Sequence, residues 1–124
     1  MARILVVDDD TDLAYHIANS LNEEGFQTGV ATNGVEAVIK IMKEQWYAVV
    51  MDIRMPELDG IGALKIIKSV DENLPVVLLS SHVTQADMAK SVREGAFAVL
   101  SKPVKEGKLV EILNSFIRNS ASVS

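Results

Sequence analysis

The stretch ILVVDDDTD, residues Ile4 to Asp12, decides the reading of this chain. Four aliphatic residues run without a polar break into three aspartates, a threonine and a further aspartate. A strand in a parallel sheet packed between helices reads this way, because neither of its faces meets water. The acids that follow admit two physical readings. They hold a cation, or they open the next helix as a cap and as charges favoured by its dipole.

Three more runs are nearly pure aliphatic: Ala48 to Met51, Val76 to Leu79 and Phe97 to Leu100. A weaker run, Thr28 to Ala31, contains Gly29 and suits a sheet edge. Between the runs lie segments of helical spacing. Leu13, Ile17 and Leu21 mark the first, opened by Asp10 or Thr11 and closed by Gly25. Val35, Val38 and Met42 line the second, and Ile61, Leu64, Ile67 and Val70 the third. Met88, Val92 and Ala96 mark a shorter fourth with Thr84 as cap, and Leu109, Ile112, Leu113, Phe116 and Ile117 stripe the last. Strand then helix, repeated along the chain, predicts an α/β fold with a parallel sheet and helices on both faces.

At 124 residues the chain has the size of one domain. A composition of 48% hydrophobic and 23% charged residues is that of a globular protein. No apolar run approaches the roughly 18 residues that span a bilayer, and no signal peptide is visible. The absence of cysteine excludes disulfides and thiolate metal sites and suits a cytoplasmic location. A net charge of −5 argues against direct nucleic acid binding. Asn119 to Ser124, NSASVS, reads as a tail or the start of a linker, which leaves residues 1–118 as the domain.

In an open parallel sheet, ligands collect beyond the carboxyl ends of the strands. The residues there are Asp8 and Asp9, Asp52, Ser80 and Ser81, and Ser101 and Lys102. Three carboxylates brought together repel one another unless a cation sits among them. Oxygen donors without Cys or nearby His favour a hard ion, Mg²⁺ or Mn²⁺. Lys102 and a serine hydroxyl opposite that ion would cradle a phosphoryl group, with Asp52 placed to attack phosphorus. Taken singly, each residue has a plainer reading: the acids as helix caps, Lys102 as a surface lysine, and Ser80 bonded back to its own chain. The plainer readings do not predict that all of them fall on one rim.

ILVVDD, VVMDIRMPELDG, PVVLLSS and GAFAVLSKP, in this order and spacing, closely resemble the receiver domain of bacterial two-component response regulators. The resemblance spans essentially the whole chain. It implies a flavodoxin-like (βα)5 three-layer sandwich with strand order 2-1-3-4-5. It also implies a signalling switch rather than an enzyme with a separate substrate. Asp52 would accept a phosphoryl group from a sensor histidine kinase or phosphotransfer protein. Asp9, Asp52 and the carbonyl of Arg54 would ligate the metal, with Asp8 acting through water. Ser80 and Lys102 would bind phosphoryl oxygens, and Pro103 falls where a cis peptide is common in the family. Pro56 and Gly60 would shape the loop after Asp52. The output would pass to an effector domain or downstream protein, or into a homodimer, through the face made by the fourth helix, fifth strand and fifth helix.

The chain departs from the family pattern at two places. Val99 stands where an aromatic that swings inward is frequent, with Phe97 as a substitute or a core residue. Ser81 replaces a smaller residue and brings a second hydroxyl that could meet phosphate. Arg54 and His82 flank the expected phosphate and, lacking a carboxylate or amide to orient water, are expected to slow its hydrolysis. His16 reads as a surface residue, and Trp46 and Tyr47 as packing at the entry to a strand.

Two other functions share part of this pattern. A small aspartyl-nucleophile phosphatase of the haloacid dehalogenase type needs DxDxT, and here the fifth position is Asp12. A flavodoxin-like FMN carrier would need a Ser/Thr/Gly-rich phosphate cradle where this chain has carboxylates.

Overall fold

In the computed structural model of the chain, residues 2–123 are described. Five strands, β1 (Arg3–Val7), β2 (Gln27–Ala31), β3 (Ala48–Asp52), β4 (Val76–Ser80) and β5 (Ala98–Ser101), alternate with five helices. The helices are α1 (Thr11–Glu23), α2 (Gly34–Lys43), α3 (Gly60–Val70), α4 (Gln85–Arg93) and α5 (Glu106–Val123). All strand pairs are parallel and the sheet order is β2-β1-β3-β4-β5. β3 and β4 are buried along their whole length, as their unbroken apolar sequences require.

Side chains alternate across each strand, so the sheet divides two cores. Ile4, Val6, Ala48, Val50, Val77 and Leu79 pack against α1 and α5. Leu5, Val7, Val49, Met51, Val76 and Leu78 pack against α2 and α3. The Gly29-containing strand lies at an edge, as expected. Trp46 explains its glycine: a Cβ at Gly29 would lie 2.5 Å from the indole ring, which also carries the Arg3 guanidinium 4.2 Å above its centroid.

α1 opens where the sequence placed it. The Asp10 side chain accepts a hydrogen bond from the Leu13 N–H, Asp12 lies in the first turn, and Gly25 beyond the end takes φ 96°. α2 and α4 present different faces from those expected. α2 buries Gly34, Ala37 and Ile41, leaving Val35 and Met42 exposed and Val38 half-buried. Its apolar residues cover more than half of the helix circumference, opposite Glu36, Lys40 and Lys43, and within that wide face the small residues turn inward: a Cβ at Gly34 would lie 2.5 Å from the Leu58 carbonyl oxygen. α4 is inverted: Asp87 and Ser91 face inward, and Met88 and Val92 face solvent. Its helix ends at Arg93, before Ala96. Val70 of α3 is also exposed.

Phe97 is not core. It precedes β5, is 43% exposed and meets Phe116 edge-on at 5.9 Å, and Phe116 in turn meets Tyr47 at 5.5 Å. It lies at the amino end of the strand, away from the rim where the acids collect. α5 buries Leu109 and Leu113, while the side chain of Ile117 lies outside the described ones. The helical backbone of α5 continues past Arg118 into the stretch read as a tail, where no Gly or Pro interrupts it. No helix among the described residues is long and apolar enough to cross a membrane.

Candidate functional site

The parallel register brings the carboxyl ends of β1, β3, β4 and β5 to one rim. Asp8 follows β1, Asp52 and Ser80 are the last residues of β3 and β4, and Lys102 follows β5. Backbone bonds extend the ladder past the strand ends: the Asp8 N–H donates to Ala31, Ile53 to Leu79, and Lys102 to Ser80. Asp8 and Asp52 are therefore held by the sheet, and Asp9 follows on the short loop into α1.

Asp8, Asp9 and Asp52 each offer a carboxylate oxygen within 4.8 Å of the other two. Asp8 and Asp52 are buried, and Asp9 is exposed at the rim. The Lys102 ammonium lies 2.9 Å from Asp8 Oδ2 and 3.2 Å from Asp52 Oδ1. Asp8 Oδ1 also accepts the Asp10 N–H, so both oxygens of this buried carboxylate are engaged.

Burial pushes the Asp52 carboxyl above its ordinary range, and the charges of Asp8 and Asp9 push the same way. Lys102 offsets part of the rise. For Lys102, burial alone would pull the ammonium down. Hydrogen bonds and charge from Asp8 and Asp52 outweigh it and raise the pKa, so the lysine stays charged. One ammonium facing three carboxylates leaves a net deficit of positive charge. An all-oxygen donor set with such a deficit fits a hard divalent cation.

The loop after Asp52 closes tightly. The Gly60 N–H donates to the Ile53 carbonyl at 2.8 Å, and a Cβ at Gly60 would lie 2.2 Å from the Asp52 carbonyl oxygen. Only glycine lets α3 start this close to the strand end. Between them, the Leu58 N–H reaches the Pro56 carbonyl over Glu57, whose φ is 68°. The peptide between Lys102 and Pro103 is cis, as expected.

The remaining residues singled out in the sequence lie at the rim with their side chains engaged or turned elsewhere. The fully buried Ser80 hydroxyl donates to the His82 carbonyl and accepts the His82 N–H, the back-bonded arrangement. Ser81 is exposed and lines a groove between α1 and α5. The Arg54 guanidinium pairs with Asp87 on α4. Val99 packs against the α2 and α3 core. Asp87 and Thr84 were missed as a unit. Thr84 accepts the Asp87 N–H and Asp87 the Thr84 N–H, a capping box that the T-x-x-D spacing carries in the sequence. The pairing of Asp87 with Arg54, 33 residues away, left no sequence signal.

The model of the response regulator receiver domain matches residues 4–114 of the chain. The chain belongs to this family. It is 36% identical over 124 residues to the transcriptional regulatory protein CpxR homolog of Haemophilus influenzae, covering all of this chain and 54% of that protein. The receiver therefore spans about half the length of such curated relatives. Among solved structures, the receiver domain of the Francisella response regulator 1452 is 32% identical with a TM-score of 0.89, covering 97% of this chain and 99% of that one. The response regulator TrrA of Thermotoga maritima, solved in complex with Mg²⁺ and BeF, is 28% identical with a TM-score of 0.85 over 94% of this receiver and 99% of that chain.

Proposed function

We propose that Asp52 is the phosphoacceptor of this receiver and that phosphorylation there sets the state of an effector. The observation that carries the reading is the bridge from Lys102 to two buried carboxylates, Asp8 and Asp52, beside a third, Asp9. An Asp52 oxygen attacks the phosphorus of a phosphohistidine on a sensor kinase or phosphotransfer protein. The new P–O bond forms as the P–N bond to the imidazole breaks. Positioning and charge neutralisation are the protein's main contribution to such a displacement.

Asp9, Asp52 and the Arg54 carbonyl would hold Mg²⁺ or Mn²⁺, with Asp8 assisting through water. The complex of TrrA with Mg²⁺ and BeF supports that choice. When bound, the cation neutralises charge on the carboxylates and on the transferring phosphoryl oxygens. Lys102 holds one phosphoryl oxygen. Ser80 holds another once its hydroxyl leaves the His82 carbonyl, and Ser81 offers a second hydroxyl nearby. In this reading the domain covers residues 1–118, consistent with a family match that ends at residue 114, and 119–124 leads into a linker. It works in the cytoplasm. Its output passes through α4, β5 and α5 to an effector or a second copy.

The test is incubation with Mg²⁺ and acetyl phosphate followed by intact-mass measurement. One added phosphoryl group, absent in Asp52→Asn, is expected. An unmodified wild-type chain would falsify the assignment.

A further inference from the structure

An open groove of about 460 Å³ runs between α1 and α5. Leu13 and Ile17 on α1 and Leu109 and Val110 on α5 form apolar walls, and Ser81 and Lys102 also line it. Because α1 begins at the rim, Leu13 lies toward the end where Ser81 and Lys102 sit. The ammonium of that lysine lies against Asp52. A volume in the range of small-ligand sites, apolar and joined to the rim at Lys102, the residue that pairs with Asp52, is a place for the non-reacting part of a donor.

We propose that this groove takes the hydrocarbon chain of small acyl phosphates and makes the receiver selective for donors longer than acetyl phosphate. The inference rests on Asp52 being the phosphoacceptor. With the phosphoryl group between Asp52 and Lys102, the acyl group extends along Leu13 and Ile17 toward Val110. The Asp52 oxygen forms a bond to phosphorus, and the bond from phosphorus to the acyl oxygen breaks. The leaving group departs as a carboxylate with its electron pair, so charge balances with no proton or further reactant. Lengthening the chain leaves the P–O bond electronically almost unchanged. A rate gain with length therefore reports binding of the chain.

The experiment compares acetyl, propionyl and butyryl phosphate at equal, subsaturating concentrations with Mg²⁺, following the phosphorylated mass. Each methylene withdrawn from water is worth up to about fourfold, so butyryl phosphate should react roughly tenfold faster than acetyl phosphate. Filling the groove with Val110→Phe, or independently Ser20→Phe, should abolish the gain and leave the acetyl phosphate rate unchanged. In Asp52→Asn, which leaves the donor unreacted, butyryl but not acetyl phosphate should shift the methyl resonances of Leu13, Ile17 and Val110. Equal rates for all three donors, or a gain that survives both groove-filling variants, would overturn the proposal while leaving the phosphoacceptor reading intact. Failure of every donor, acetyl phosphate included, would overturn both.

Discussion

Lys102 sits between Asp8 and Asp52, 2.9 Å from the first carboxylate and 3.2 Å from the second, and supplies the positive charge that makes their burial tolerable. Lys102→Met removes that charge and keeps the bulk of the stem. Without metal, the variant should lose about 2 kcal/mol of stability in urea unfolding, because two buried carboxylates lose their partner. Mg²⁺ should bind it several-fold more tightly than the wild type, since a competing cation is gone. Weaker Mg²⁺ binding would contradict the arrangement.

The raised pKa of Asp52 gives stability a definite pH dependence. A carboxyl that binds its proton more tightly folded than unfolded stabilises the fold fully below the unfolded value of 3.8. That contribution is lost as pH rises through the higher folded value. In metal-free buffer, Asp52→Asn should therefore become the more stable chain as pH climbs above that window, and saturating Mg²⁺ should narrow the difference. Urea midpoints of both chains from pH 4 to 8 check this.

Arg54 and Asp87 tie the exit of β3 to the first turn of α4. Asp87 is buried whereas the Arg54 side chain is 54% exposed, so the pair is screened on one side only. Arg54→Ala should cost about 1–2 kcal/mol, chiefly by leaving a buried carboxylate with one partner fewer. Asp87→Asn should cost less, and the double variant less than the sum, which a double-mutant cycle measures. With its guanidinium drawn to α4, Arg54 contributes little shielding to an aspartyl phosphate in this conformation. His82→Ala should then shorten the phosphate lifetime more than Arg54→Ala, as timed dephosphorylation would show.

Gly60→Ala places a methyl 2.2 Å from the Asp52 carbonyl oxygen and should cost about 2–3 kcal/mol, with slower phosphorylation because Asp52 shifts. Glu57→Gly, three residues earlier, should act oppositely. It relieves a left-handed φ of 68° on a residue with a Cβ and should gain roughly 0.5–1 kcal/mol. Thermal unfolding of the two variants separates a close approach from a strained turn.

Most of the sheet was legible because burial writes itself as unbroken aliphatic runs, although Ala98 to Leu100 reads the same way and is a half-buried edge, and the rim followed because each run ends in a polar group. Asp8, Asp9, Asp52 and Lys102 could be brought together from topology alone. Helix orientation was harder to read. In α2, apolar residues cover more than half of the circumference opposite Glu36, Lys40 and Lys43, and the inward side of that wide face is Gly34, Ala37 and Ile41, the first two too small to carry a strong hydrophobic signal. In α4, apolar spacing named Met88 and Val92, yet the buried positions are Asp87, which has capping and Arg54 contacts, and Ser91. Side-chain rotamers escaped too. Nothing in SSH, residues 80–82, says that the first hydroxyl turns onto its own loop.

Trp46 is the chain's single tryptophan and lies at the opposite end of β3 from Asp52. The strand Ala48–Asp52 lies between them and by itself spans about 13 Å. Its ring is clamped among Gly29, Arg3 and the Lys40 carbonyl, contacts that exist only when β1, β2 and α2 are assembled. The molecule therefore carries an optical probe of assembly that is remote from the chemistry. Its emission can follow unfolding with metal or donor present, without mistaking occupancy of the rim for a change in fold.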